Sequence, residues 1–177
     1  MFIYACSFLH LSGIFSLKRL HECAFHYLFR GVLVAKIQTL ACEFVNETLD
    51  QLLYDPAIEQ LNLATKTGHL TVLLSSSPQF LVEPIAKRLG ISQWKSTEYG
   101  IDDKKCYSHI AKLMLGEDKA LYVKELDKTA CKSSLNITAY SDSYYDLPFL
   151  LSAKRAVGVN PDRKLRAFCM KQKWPII

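Results

Sequence analysis

The sequence predicts an α/β domain on a mainly parallel sheet, with a helical N-terminal third as cap or accessory layer. Three observations carry this expectation. Short apolar or β-branched runs at residues 70–74, 136–140 and 156–159 alternate with stretches of helical period. Each run gives way to Ser, Asp, Asn or Pro, the residues that turn a chain and start a helix. Half of the 177 residues are hydrophobic and 22% are charged, which excludes a disordered chain and allows a real core.

Each element has its own signal. Within residues 16–66, Leu17, Leu20, Ala24, Phe25, Leu28 and Phe29 recur three and four apart, as do Ile37, Leu40, Ala41, Phe44, Val45 and Leu49. Asp55-Pro56 turns the chain and opens another helix with Pro56 at its first position, and Gly68 closes it. The pattern then changes to strand, turn and helix. After residues 70–74, Ser77 as N-cap and Pro78 at the first helical position start a helix that runs to Leu89, stops at Gly90 and is bent by Pro84. Residues 94–99 form another strand candidate, 101–107 a polar turn or hairpin, and 113–126 a helix with Gly116 near its start. The run at 136–140 leads into a helix ending near Ser152. The run at 156–159 follows, and Asn160-Pro161-Asp162 turns the chain into a final helix. The expected organisation is a mostly helical cap or accessory segment over residues 1–66 and an α/β core over 67–177.

Charge and cysteine content narrow the class. The net charge of +5 is spread along the chain, with short clusters at Lys104-Lys105 and at Arg163, Lys164 and Arg166. That balance suits a small anionic substrate or a lipid headgroup, and no aromatic–basic pattern points to nucleic acid. Cys6, Cys23, Cys42, Cys106, Cys131 and Cys169 form no CxxC pair and have no metal-ligand spacing with histidine. Buried free thiols in a reducing, cytoplasmic compartment are expected. Residues 1–15 are apolar and uncharged, with Lys18 and Arg19 after rather than before them, the wrong order for a signal peptide and too short to span a bilayer. A buried helix or strand is the leading expectation there. Membrane contact is the alternative, supported by the second apolar patch at residues 31–35.

The segment richest in chemistry is Tyr140-Ser141-Asp142-Ser143-Tyr144-Tyr145-Asp146-Leu147-Pro148. Asp142 and Asp146 stand at the carboxyl end of a strand, where open α/β sheets bind ligands. Carboxylates there suit a hard cation such as Mg²⁺. The same residues also suit a helix start, with Asp142 or Ser143 as cap and Asp146 in the first turn. Taken alone they leave both readings open.

Taken with the rest of the chain, this segment resembles motif four of the haloacid dehalogenase superfamily, most closely its phosphoserine-phosphatase-like subfamily. Leu73-Leu74-Ser75-Ser76-Ser77-Pro78-Gln79-Phe80-Leu81 resembles motif two, and Gly116-Glu117-Asp118-Lys119-Ala120 resembles motif three. Val159-Asn160-Pro161-Asp162 and Lys173-Trp174-Pro175-Ile176 are similar to the subfamily's tail. The resemblance covers residues 60–177 and implies a Rossmann-like core and a Mg²⁺-dependent phosphatase acting through an aspartyl-phosphate. It implies that Ser75 and Ser76 bind a substrate phosphate, that Lys119 sets an ammonium against it, and that Asp142 ligates Mg²⁺ while Asp146 orients the metal or its waters. Such chemistry rests on positioning and electrostatics. The bland readings are that Ser75 and Ser77 cap a helix and that Lys119 is a solvated surface lysine. With the motifs in register, the functional reading leads. The substrate implied is a small phosphate ester such as phosphoserine, or a lipid phosphate.

The departure from the family lies at its first motif. The family's Asp-x-Asp-x-Thr run, which supplies the nucleophile and the general acid–base, has no counterpart here. The first acidic residue is Glu22, and the strand candidate at residues 2–7 carries no carboxylate. The central first strand is therefore expected to be missing. Truncation at the start is the favoured explanation, ahead of a noncatalytic replacement by residues 2–7 or a strand from a partner. The alternative function is an inactive module that binds phosphate or a partner.

Overall fold

The apolar spacing of the N-terminal third becomes helices in the computed structural model, which describes residues 16–129 and 136–177. The apolar start, the strand candidate at residues 2–7, Cys6 and Cys131 lie outside the described residues. Helix α1 (Leu17–Ala24) is capped by Ser16, whose hydroxyl accepts from the Arg19 amide, and runs into a π-helical turn, Phe25–Phe29. Helices α2 (Val34–Leu52) and α3 (Asp55–Lys66) follow. Pro56 sits in the first turn of α3, and Gly68, at φ +75°, takes the left-handed conformation that ends it.

By contacts the chain forms two units, each discontinuous in sequence. One holds the described residues up to Leu52 together with Val72–Leu113; the other holds Leu53–Thr71 and Met114–Ile177. The compositional border at residue 66 thus falls within the first segment of the second unit.

The first unit is built on strands β1 (Val72–Pro78), β2 (Gln93–Ile101) and β3 (Tyr107–Lys112), in that order. β1 and β2 are parallel, joined through helix α4 (Gln79–Arg88), while β2 and β3 form an antiparallel hairpin. Helix α2 packs on α4. Ala41, Val45 and Leu49, four residues apart, are its buried stripe, and Val82 and Ala86 are that of α4. The π turn is held by aromatic rings to the hairpin, where Phe25 meets Tyr99 edge-on at 4.7 Å, and to α4, where Phe29 meets Phe80 at 5.1 Å. Backbone bonds from Gly31 N to Tyr107 O (2.7 Å) and from Tyr107 N to Val32 O (3.0 Å) fix the same junction.

Two expectations are corrected here. The strand expected at residues 70–74 runs from Val72 to Pro78 instead, and Leu70 is exposed. Ser77 does not cap α4; Pro78 holds the cap position, without a side-chain bond. The reason is that pairs to β2 bracket the serine run, Leu74 with Lys95 and Pro78 with Thr97. Thr97 Oγ1 donates to the Ser76 carbonyl at 2.8 Å, and Ser75 Oγ accepts from the Ser77 amide at 3.1 Å, so the serine run stays extended.

The second unit contains α3, helix α5 (Gly116–Thr129), strand β4 (Thr138–Ser141), a 3₁₀ turn (Tyr144–Asp146), helix α6 (Leu147–Ser152), strand β5 (Arg155–Gly158) and helix α7 (Arg163–Gln172). β4 and β5 are parallel, pairing Thr138 with Arg155 through to Ser141 with Gly158. Ala139, Leu150, Ala156, Leu165 and Cys169 form the core, flanked by Phe149, Trp174 and Ile176. The C-terminal segment returns to β5, with Gly158 N bonded to Pro175 O and Ile177 N to Gly158 O, both 2.9 Å. The α/β class with a mostly parallel strand arrangement is thus the observed one.

The cysteines described are free thiols, but only Cys169 is buried; Cys23 and Cys106 are half-buried and Cys42 is exposed. Burial of every thiol fails because Cys42 lies beside the buried Ala41 on α2 rather than on its inward stripe. Among the described residues no helix is long and apolar enough to cross a membrane.

Candidate functional site

The second unit gathers its polar chemistry where β4 ends. Four extended residues bring the chain to Ser141, which is buried, and the backbone then turns through Asp142 and Ser143 into the 3₁₀ turn. Ser143 caps that turn by accepting from the Tyr145 amide at 3.3 Å. Asp146 closes the turn with its carboxylate directed inward.

Lys119 meets that carboxylate. Its Nζ lies 2.8 Å from both Oδ1 and Oδ2 of Asp146, with side chains only 6% and 13% exposed. Ser141 Oγ donates to Asp146 Oδ2 at 2.8 Å, and accepts from the Ser143 amide at 3.3 Å. The solvated-lysine reading is thereby excluded: a lysine so buried needs a paired and hydrogen-bonded counter-ion.

The elements that carry this pair are set by local chemistry. Asp118 Oδ2 accepts from the Leu115 amide at 3.0 Å, satisfying a free donor at the start of α5. This explains why α5 begins at Gly116 rather than at residue 113, and it puts Lys119 in the first turn. Gly116 itself lies against the 3₁₀ turn: a Cβ there would collide with the Tyr145 carbonyl oxygen. The closeness of α5 to the Asp146 loop depends on that missing side chain.

Asp162 was not a site candidate by sequence, yet it holds the same loop. Its Oδ1 caps α7 by accepting from Lys164 N and Leu165 N, each at 2.9 Å. Its Oδ2 accepts from the Tyr144 amide at 2.7 Å, and its own amide donates to the Asp142 carbonyl at 2.8 Å. The sequence signal was Asp before a helix, a cap; the second bond reaches back 18 residues. Ser141 and Gly116 were likewise missed as site residues, since neither type signals its partner.

The candidates therefore divide as follows. Lys119 and Asp146 are in direct contact, and Asp142 stands in the same loop, exposed to solvent. Ser75 and Ser76 belong to the first unit, half-buried in β1. Among the described residues no group of three or more His, Cys, Asp or Glu could hold a metal. The donor chemistry still suits Mg²⁺ bound through one carboxylate and the oxygens of a phosphate, the usual mode for this ion. Asp142 is the carboxylate open for it, because Asp146 is engaged by Lys119 and Ser141.

The model of the haloacid dehalogenase-like hydrolases matches residues 4–151. The chain is 31% identical over 151 residues to an inhibition of morphological differentiation protein of Streptomyces azureus, covering 85% of this chain and 54% of that protein. It is also 31% identical over 150 residues to the phosphoserine phosphatase SerB1 of Mycobacterium tuberculosis, covering 82% of this chain and 48% of the relative. The chain thus spans about half the length of these curated relatives. Among solved structures, a protein of unknown function from Bordetella pertussis Tohama I has the same fold, with a TM-score of 0.83 at 20% identity, covering 98% of this chain and 79% of that one.

Proposed function

Because this chain belongs to the haloacid dehalogenase-like hydrolase family, we propose that it carries the lysine–aspartate part of a phosphatase site. The reaction such a site serves, once an attacking carboxylate is supplied, is hydrolysis of a phosphomonoester through an aspartyl-phosphate. The substrate is a small phosphorylated metabolite such as phosphoserine, the substrate named for the M. tuberculosis relative. The observation that carries this reading is the buried Lys119–Asp146 pair at the carboxyl end of β4.

The roles follow from donor counting. An ammonium has three N–H donors; two are engaged on Asp146, which leaves one for a phosphoryl oxygen. Asp146 is then a positioning residue: it holds the Lys119 charge in place before substrate arrives, so little reorganisation is needed as charge develops. In the first unit, Ser75 with Ser76 beside it retains hydroxyl and amide groups of the kind that bind a phosphate oxygen. Asp142 would hold Mg²⁺, which when bound neutralises phosphoryl charge.

One observation favours a second reading. The 177 residues contain no Asp-x-Asp-x-Thr run, so no attacking carboxylate of that motif is present to form the covalent intermediate. On this reading the chain binds phosphate without turning it over. A single experiment tests both: phosphate release from phosphoserine with Mg²⁺, alongside calorimetric binding of inorganic phosphate. The expected result is Mg²⁺-dependent binding with no turnover at phosphatase rates. Absence of binding would overturn the site. Robust turnover lost in Asp142→Asn would reveal another nucleophile and overturn the second reading.

A further inference from the structure

The first unit has a cleft of about 580 Å³ that the phosphatase reading does not use. Its walls are α1, the π turn and strand β3, and its charged lining is Lys18, Glu22, Arg30 and Lys112, with His26 and His109. Three cations face one carboxylate, and among the described residues none of the three is in an ion pair. A cleft lined by one dominant sign concentrates the opposite charge, and the volume is that of a metabolite site.

Both histidines are held by neighbouring side chains. His109 on β3 stands opposite Gly100 on β2, and its ring occupies the space that a Cβ on Gly100 would take. Ser108 Oγ donates to the Gly100 carbonyl at 3.2 Å and lies 2.9 Å from His109 Nδ1. These contacts hold the His109 ring at the cleft wall. Arg30 Nη1 lies 3.4 Å from His26 Nδ1. A guanidinium only donates, so His26 presents Nε2–H as a donor. Beyond Tyr107, whose backbone is bonded to Gly31 and Val32, the edge of β3 away from β2 adds strand backbone that pairs with no other described strand.

We propose that this cleft is a second anion-binding site, for a small free metabolite bearing two or more acidic groups and a hydroxyl or amine. Lys18, Arg30 and Lys112 neutralise the acidic groups. His26 donates to one of their oxygens, Glu22 accepts from the hydroxyl or amine, and the His109 ring closes the wall beside them. Its residues are separate from Ser75, Lys119, Asp142 and Asp146, so it stands or falls independently of the phosphatase reading.

The test is NMR of the histidine ring nitrogens while the whole chain is titrated with pyrophosphate or citrate at fixed pH. Saturable shifts are expected at His26 and His109, with His69 unmoved. Exposed charges are removed without cost to the core, so Arg30→Gln/Lys112→Gln should keep its fold and weaken binding by about tenfold or more. Gly100→Ala, which evicts the His109 ring, should also weaken binding. The proposal is overturned if neither probe moves the two rings, or if the double variant binds as tightly as the parent.

Discussion

Lys119 owes its place to three atoms of two other residues: both carboxylate oxygens of Asp146 and, through them, the Ser141 hydroxyl. Removing one partner leaves a buried charge uncompensated. Asp146→Ala should therefore lower stability by about 3–5 kcal/mol, read by urea denaturation, while Asp146→Asn, which keeps an acceptor for both neighbours, should cost clearly less. Equal losses would mean that the charge of Asp146, and not its acceptor oxygens, is what holds Lys119. Tyr99 makes a second prediction. Burial pushes its phenol up to about 12, with the nearby Tyr107 adding to the effect. A raised folded value means that the native state keeps its proton where the unfolded chain has lost it. The resulting stability is fully present below the ordinary tyrosine value near 10 and is lost as pH rises towards 12. Tyr99→Phe should flatten the fall in melting temperature over that window; an unchanged slope would assign it to other groups.

At the scale of elements, the loop after β4 is held from both sides. α5 approaches it only because residue 116 lacks a side chain, and α7 reaches it through Asp162. Asp162→Ala removes a helix cap and a charged acceptor together, a loss of about 2–3 kcal/mol. The more specific readout is hydrogen exchange: the Tyr144 amide should lose protection, and Asp162→Asn should restore part of it. Unchanged protection at Tyr144 would show that the loop is held by β4 and α5 alone. The serine run of β1 makes the complementary point. Ser-Ser-Ser-Pro reads locally as a turn and cap, yet pairing with β2 keeps it in the strand.

For the whole molecule, the family match and the motif content of the sequence point in one direction and leave one part unfilled. Residues 4–151 match the family model, while the Asp-x-Asp-x-Thr run is absent from the sequence. If the retained residues form a competent half-site, a chain extended by a strand carrying that motif should hydrolyse phosphoserine. Asp142→Asn in the extended chain should then abolish turnover by removing the carboxylate open to Mg²⁺. An extended chain that folds and binds phosphate yet stays inactive would favour the binding module.

The sequence by itself determined the alternation of helices and strands apart from β3, the strand end before Asp142 and the place of Lys119 near the start of a helix. These are local properties: period, caps and turn residues act between neighbours, so they can be read without the fold. It did not determine that Ser141 completes the Lys119–Asp146 pair, that Asp162 binds the Tyr144 amide, that the serines of β1 stay extended, or that cations from α1, the π turn and β3 share one cleft. Lys119 and Asp146 are 27 residues apart, and Tyr144 and Asp162 are 18. Which polar groups meet across such separations is decided by how the apolar faces pack, because a buried donor or charge is tolerated only where packing brings it a partner.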